Sequence, residues 1–181
     1  MKKINTCILV LVSLLTMASC APKAGTHKNL VVYYSQTGST QMVADLLATS
    51  LNADMLCLQC ETPYPDTFEA TIEESRDEVK NNTGRALTNG TIADLNLVDT
   101  VFIGFPIWWN TAPRIINTFI EANPALAGKT VAFFATSGGS NLENSDQVFK
   151  AQYTDLNWQN GMLMNDVADS TITCWLGTLG L

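Results

Sequence analysis

Histidine is almost missing from this chain: among 181 residues there is one, His27. Ser-His-Asp and Cys-His catalysis, and His-rich zinc sites, all need an imidazole inside the folded domain. Residues 28–181 supply none, so most hydrolase chemistry and a His-based metal site are excluded. Basic residues are also scarce, with 10 Lys+Arg against 17 Asp+Glu and a formal charge of −7. Phosphate backbones demand clustered Lys and Arg, so no nucleic-acid partner is expected. Charged residues make up only 15 % and apolar ones 46 %, a balance that excludes disorder and suits one domain with a real core.

The first twenty residues read as an address. Lys2 and Lys3 give a positive start, Ile4 to Ala18 carries no charge, and small residues follow up to Cys20. That is the layout of a secretory signal. A permanent membrane helix wants roughly 20 apolar residues, a length the uncharged run reaches only by counting Asn, Ser and Thr. Met17-Ala18-Ser19-Cys20 resembles a bacterial lipobox, with Met17 where Leu is usual, which makes Cys20 the expected lipidated N-terminus. The chain then divides into a lipoprotein signal (1–19), a lipidated Cys with a short polar tether (20–29) and a domain (30–181). The expected location is the bacterial cell envelope, exported, with membrane contact through the lipid only. Removing residues 1–19 takes away Lys2 and Lys3, which moves the charge from −7 to −9. His27 falls in the tether. Lys2-Lys3 is not a twin-Arg signal, so the chain is expected to cross unfolded.

Alternating strands and helices fill the domain. Residues 30–34, LVVYY, are the apolar, β-branched and aromatic run of a buried parallel strand. A helical stripe follows at Met42, Val43, Leu46, Leu47 and Leu51. Residues 54–58 form a second strand, and Asp66 is placed to cap a helix whose Phe68, Ile72 and Val79 share a face. Residues 81–98 are polar, with turn signals, and read as a surface excursion that could cover a ligand. A third strand (100–105), a helix from about 112 to 121, a fourth strand (131–135) and a helix from about 143 to 150 come next. A fifth strand lies within 157–164 and a closing helix runs from about 171 to 179. This order predicts an α/β fold: a doubly wound five-stranded parallel sheet with helices on both faces.

Such sheets bind ligands beyond the C-terminal ends of their strands, where three loops now stand out. In the first, Ser35-Gln36-Thr37-Gly38-Ser39-Thr40, Gly and hydroxyl residues at a helix start can form a nest for an anion. No Lys or Arg occurs between Leu30 and Asn52, so a Walker A loop is absent, as is the G-x-G-x-x-G fingerprint. A phosphate held here would meet neutral donors alone; otherwise the loop is a plain cap and turn. The second loop, Pro106-Ile107-Trp108-Trp109-Asn110, places two Trp residues beyond a strand end. One as core and one as the wall of a flat aromatic ligand is the preferred division; packing of both is the alternative. Asn110 or Thr111 can cap the next helix, with Pro113 in its first turn. The third loop is Thr136-Ser137-Gly138-Gly139-Ser140.

These three motifs, each after its own strand, resemble those of the flavodoxin-like superfamily, above all its bacterial branch with a G-[YF]-P-I-W-W loop. The resemblance covers most of residues 29–181 and implies strand order 2-1-3-4-5. It implies non-covalent FMN as cofactor and first partner. The phosphate would sit at Ser35–Thr40 and the ring between Pro106–Asn110 and Thr136–Ser140. Asn110 stands where this branch often has Gly; both tolerate positive φ, but a side chain now projects near the flavin. The implied function is electron transfer with an unknown redox partner, or reduction of a substrate with a nicotinamide donor. A cofactor-free ligand-binding lipoprotein on the same scaffold is the alternative from another class.

Other residues keep plainer readings beside functional ones. The acidic set Glu61, Asp66, Glu69, Glu73, Glu74, Asp77 and Glu78 is either a solvated helix face or a means of steering a basic partner and lowering a flavin's potential. Cys57 and Cys60, three apart on a strand, would point to opposite faces and pair only if the strand ends between them. Cys174 is expected as a small buried residue beside Trp175 and Leu176.

Overall fold

The computed structural model describes residues 29–165 and 168–181. The expected signal, Cys20 and the tether with His27 lie outside the described residues. The first strand, β1 (Asn29–Tyr33), sits between β2 (Asp54–Cys57) and β3 (Thr100–Pro106). β3 pairs in parallel with β4 (Thr130–Thr136) over seven residues, from Thr100 opposite Thr130 to Pro106 opposite Thr136. The order is β2-β1-β3-β4-β5, as the resemblance implied. The fifth position is a correction. Instead of one strand it holds two fragments, β5 (Asn157–Trp158) and β6 (Met162–Leu163), both paired in parallel with β4. Gly161 lies between them, where a Cβ would come within 3.0 Å of the Phe133 carbonyl oxygen and 2.7 Å of Leu142. The chain presses too closely on β4 there for a side chain to fit.

The period-2 alternation of the strands sorts the core into two layers. Val31, Phe102 and Phe134 face one side, packed with Val43 and Leu47 of α1 (Ser39–Leu51) and Ile172, Trp175 and Leu176 of α5 (Asp169–Thr178). Val32, Ile103 and Phe133 face the other, against Ile115 and Phe119 of α3 (Arg114–Ala122) and Phe149 of α4 (Glu143–Gln152). On that same side Ile72 of α2 (Phe68–Asn81) packs partly buried against the core. Ile172, Trp175 and Leu176 follow the i, i+3, i+4 spacing of a buried stripe. Cys174 therefore points outward and is exposed, contrary to its expected burial.

Two cap assignments change. Thr67, not Asp66, caps α2, its side chain accepting from the Ala70 N–H at 3.4 Å. Pro113 itself holds the N-cap position of α3, with no side-chain cap, because residues 108–111 are committed to a turn of their own. The excursion 81–98 is also more than surface. Ile92 and Leu95 are buried, and Asn123 clamps the segment by accepting from the Ile92 N–H (2.9 Å) and donating to the Gly90 carbonyl (2.6 Å).

Gly104 marks where β3 has no room for a side chain. A Cβ there would meet Phe134 Cζ at 2.1 Å, and that ring is fully buried. Gly104→Ala forces the ring aside and is expected to cost about 1–3 kcal/mol, read as a fall in melting temperature.

Candidate functional site

A cavity of about 900 Å³ opens beyond the C-terminal ends of β1, β3 and β4. All three loops reach it. In the first, Gly38 adopts φ +90°, a left-handed conformation open to glycine without strain, and starts α1. Its N–H donates to Ser35 Oγ at 3.1 Å and its carbonyl accepts from the Met42 N–H at 3.0 Å. The first N–H groups of α1 have no intrahelical acceptor and carry the positive end of its dipole toward the cavity. Thr37 Oγ1 and Ser39 Oγ lie 3.4 Å apart on the same wall. Thr40 departs from its expected role. It is buried, and its hydroxyl shares a 2.8 Å hydrogen bond with Thr136, tying the first loop to the third.

The second loop is a tight turn. Trp108 and Thr111 exchange two backbone hydrogen bonds of 3.0 Å, while Trp109 (φ +52°) and Asn110 (φ +59°) both take left-handed conformations. Two successive positive φ angles define a type I′ turn, unusual for a residue as bulky as Trp. The two indoles part company there. Trp108 is buried, edge-on to Tyr34 (5.8 Å) and Tyr64 (5.1 Å). Trp109 is 45 % exposed on the cavity wall, and its Nε1–H donates to the Ile72 carbonyl (3.0 Å) and Ser75 Oγ (3.2 Å) of α2. In the third loop, Ser137 Oγ accepts from the N–H groups of Gly139 (3.1 Å) and Ser140 (2.7 Å), and the Ser137 N–H is held by Asn165 Oδ1 (2.8 Å).

The structure thus brings Gln36, Thr37 and Ser39, then Pro106 to Trp109, then Thr136 to Ser140 around one space. Ser35, Gly38 and Thr40 shape the first loop from behind. Asn110 does not line the cavity, correcting the expectation that its side chain projects there; its carbonyl accepts from Asn144 Nδ2 of α4 at 2.7 Å. The sequence reading missed the start of α2. Phe68, expected on a core face, is 69 % exposed at the cavity mouth, with Asp66, Thr71 and Ile72 beside it. Met42, also expected in the core, is 62 % exposed on the opposite wall. Residues 81–98 do not line the cavity at all.

Electrostatically the cavity is simple. Asp66 is the one charged residue among those lining it, with no Lys or Arg. An anionic group could be met only by N–H groups, hydroxyls and the helix dipole, which the first loop offers. A flat ring could lie between Trp109 and the Gly138-Gly139 backbone, where no atom would contact an added Cβ. The donor set and the space fit FMN.

Behind Trp108 lies a second cluster. Arg85 pairs with Glu78 (2.7 Å) and Glu74, donates to the carbonyls of Thr62 (2.8 Å) and Pro63 (3.2 Å), and lies 3.8 Å over the Tyr64 ring. Burial, then the hydrogen bond to Glu78 at 2.6 Å, raises the Tyr64 hydroxyl well above its usual range. Burial likewise pushes the Cys60 thiol up to about 11, which leaves little reactive thiolate near neutrality. Iodoacetamide at pH 8 is therefore expected to alkylate exposed Cys57 and Cys174 first and Cys60 last, by peptide mass mapping.

A flavodoxin family model matches residues 28–179. The chain belongs to the flavodoxin family. Among solved structures, a Bacteroides eggerthii protein assigned as a flavoprotein is 39 % identical, with TM-score 0.79 over 86 % of this chain and 99 % of its own. A similarly assigned protein from Bacteroides uniformis is 37 % identical, with TM-score 0.77 over 83 % and 98 %. A Lactobacillus acidophilus flavoprotein, solved in complex with FMN, shares the fold at 23 % identity and TM-score 0.67, over 83 % and 99 %. No curated protein matches. Within this flavodoxin the sheet order and the three-loop cavity belong to one arrangement.

Proposed function

We propose that this flavodoxin binds FMN non-covalently in the three-loop cavity and serves electron transfer at the bacterial envelope, tethered through lipidated Cys20. The observation that carries the reading is convergence: a glycine-started helix N-terminus without cations, an aromatic wall and a Gly-Gly loop meet on one space of fitting size. Bound FMN supplies the electron and hydride chemistry; the chain binds, orients and shields it. Ser39, Thr37 and the α1 N-terminus would hold the phosphate, and Trp109 with residues 136–140 would fix the ring plane. The FMN complex of the L. acidophilus protein of the same fold supports the choice of cofactor.

The test is a titration of the purified protein lacking residues 1–20 with FMN, followed by flavin fluorescence. Strong quenching at micromolar FMN is expected, because an indole stacked on the ring deactivates it. Full fluorescence there would leave the redox function without its basis, and the cofactor-free reading would stand. If FMN binds, anaerobic mixing with NADH or NADPH divides the proposal: prompt bleaching assigns a reductase, silence a carrier. Cys20→Ala is expected to release the protein from membranes, and retention of that variant refutes the anchor.

A further inference from the structure

We infer that Ser75 and Asn144, which do not line the cavity, are positioning residues that set the plane of the Trp109 indole for the cofactor. The inference rests on the proposed FMN site and adds what holds its aromatic wall in place. Trp109 and Asn110 both sit at positive φ, +52° and +59°. Asn is among the residues such turns accept. A bulky side chain in that region is an outlier, kept only where its surroundings over-determine it. The two backbone hydrogen bonds between Trp108 and Thr111 close the turn at its base and leave the rotamer of the indole open.

Two helices of one layer supply the rest. From α2, Ser75 Oγ accepts from the Trp109 Nε1–H at 3.2 Å and donates to the Ile72 carbonyl at 3.0 Å. The same indole N–H reaches that carbonyl at 3.0 Å, so the three polar groups close a triangle. Ser75 is 2 % exposed, which keeps water from competing for its hydroxyl. The Arg76 guanidinium adds a contact over the indole, 5.9 Å from its centroid. The side chain is thus held at both ends, by the turn at its Cα and by α2 at its Nε1. From α4, Asn144 Nδ2 donates to the Asn110 carbonyl at 2.7 Å and holds the tip of the turn itself. Ala suits a helix better than Ser or Asn does, so helix stability does not account for either residue. A wall fixed beforehand spares an incoming flat ring the cost of ordering it.

The experiment uses the purified full-length protein with Ser75→Ala or Asn144→Ala, each made in the wild-type and in the Trp109→Ala background. Both replacements bring in a strong helix former, so melting temperature should hold. In the wild-type background each should raise the FMN dissociation constant about fivefold, the worth of one neutral hydrogen bond. In the Trp109→Ala background the same changes should leave that constant unaltered, because the group they position is gone. Equal losses in both backgrounds would show action on the fold instead of through the indole. No loss in either would show a wall that needs no support. Each of these results overturns the inference.

A second readout needs no flavin. Of the indole N–H signals of the four Trp residues in a 15N spectrum, that of Trp109 is the one missing from Trp109→Ala. Ser75→Ala should shift this signal and speed its exchange with water. The signals of Trp158 and Trp175, which donate to the carbonyls of Tyr153 and Asn160, should stay in place. An unmoved Trp109 signal overturns the inference whether or not FMN binds. A wild-type protein that fails to bind FMN while the signal moves removes the cofactor reading and leaves the anchoring of the indole standing.

Discussion

Arg85→Ala is expected to remove about 3–5 kcal/mol of stability, because it strips the partner from a carboxylate that is itself mostly buried. The side chains of Arg85 and Glu78 are 13 % and 12 % exposed. Their pair sits under a roof of carbonyls from Thr62 and Pro63 and against the Tyr64 ring. With Ala at position 85, Glu78 keeps its hydrogen bond from Tyr64 but loses its countercharge, and the 59–67 segment loses the donor that gathers its carbonyls. Melting temperature should fall by about 10 °C. The double variant Arg85→Ala, Glu78→Leu should regain part of that loss, since a neutral apolar residue carries no unpaired charge. No recovery in the double variant would show that Arg85 acts through its carbonyl contacts or its stacking instead. Cofactor binding should weaken as well. Arg85 holds α2 through Glu74 and Glu78, and α2 in turn holds Trp109 through Ile72 and Ser75.

The two tryptophans should separate fold from cofactor. Trp108→Ala empties a buried site between Tyr34 and Tyr64 and is expected to cost about 3–5 kcal/mol of stability. Trp109→Ala removes a half-exposed wall, so stability should change little. The FMN dissociation constant should instead rise about 30-fold, the effect of losing an aromatic anchor worth about 2 kcal/mol. Thermal melts and flavin fluorescence titrations on the same two variants check the division. The opposite outcome, with Trp108→Ala folding normally and Trp109→Ala binding fully, would mean that the ring lies elsewhere in the cavity.

Much of this molecule was legible in its residues. The strands announced themselves through β-branched and aromatic runs, and the loops through Gly and hydroxyl residues at the strand ends, because both signals are local. What stayed hidden depends on packing between distant segments. Phe68 and Met42 satisfy helical periodicity as well as any core residue does. Periodicity alone cannot tell a face that meets the sheet from one that meets a cavity. Arg85 looks like an ordinary charge in a polar stretch, since its partners lie between seven and twenty-three residues away. Thr40 belongs to the expected phosphate loop by sequence, yet the close approach of β4 gives its hydroxyl to Thr136. The fifth strand was hard to read because it exists as two pairs of residues around Gly161, too short for any alternation to show.

Those two fragments also bear on how the protein lives among its own copies. A strand at the margin of a sheet is a template that another chain can extend, and long flat margins invite aggregation. Here one margin is broken into two two-residue pieces separated by residues 159–161, and the other, β2, is four residues long and begins on Asp54. Neither offers a neighbour enough unpaired backbone to start a continuous cross-chain sheet. Wherever copies of the chain are crowded together, that interruption is protection against assembling sideways into fibres.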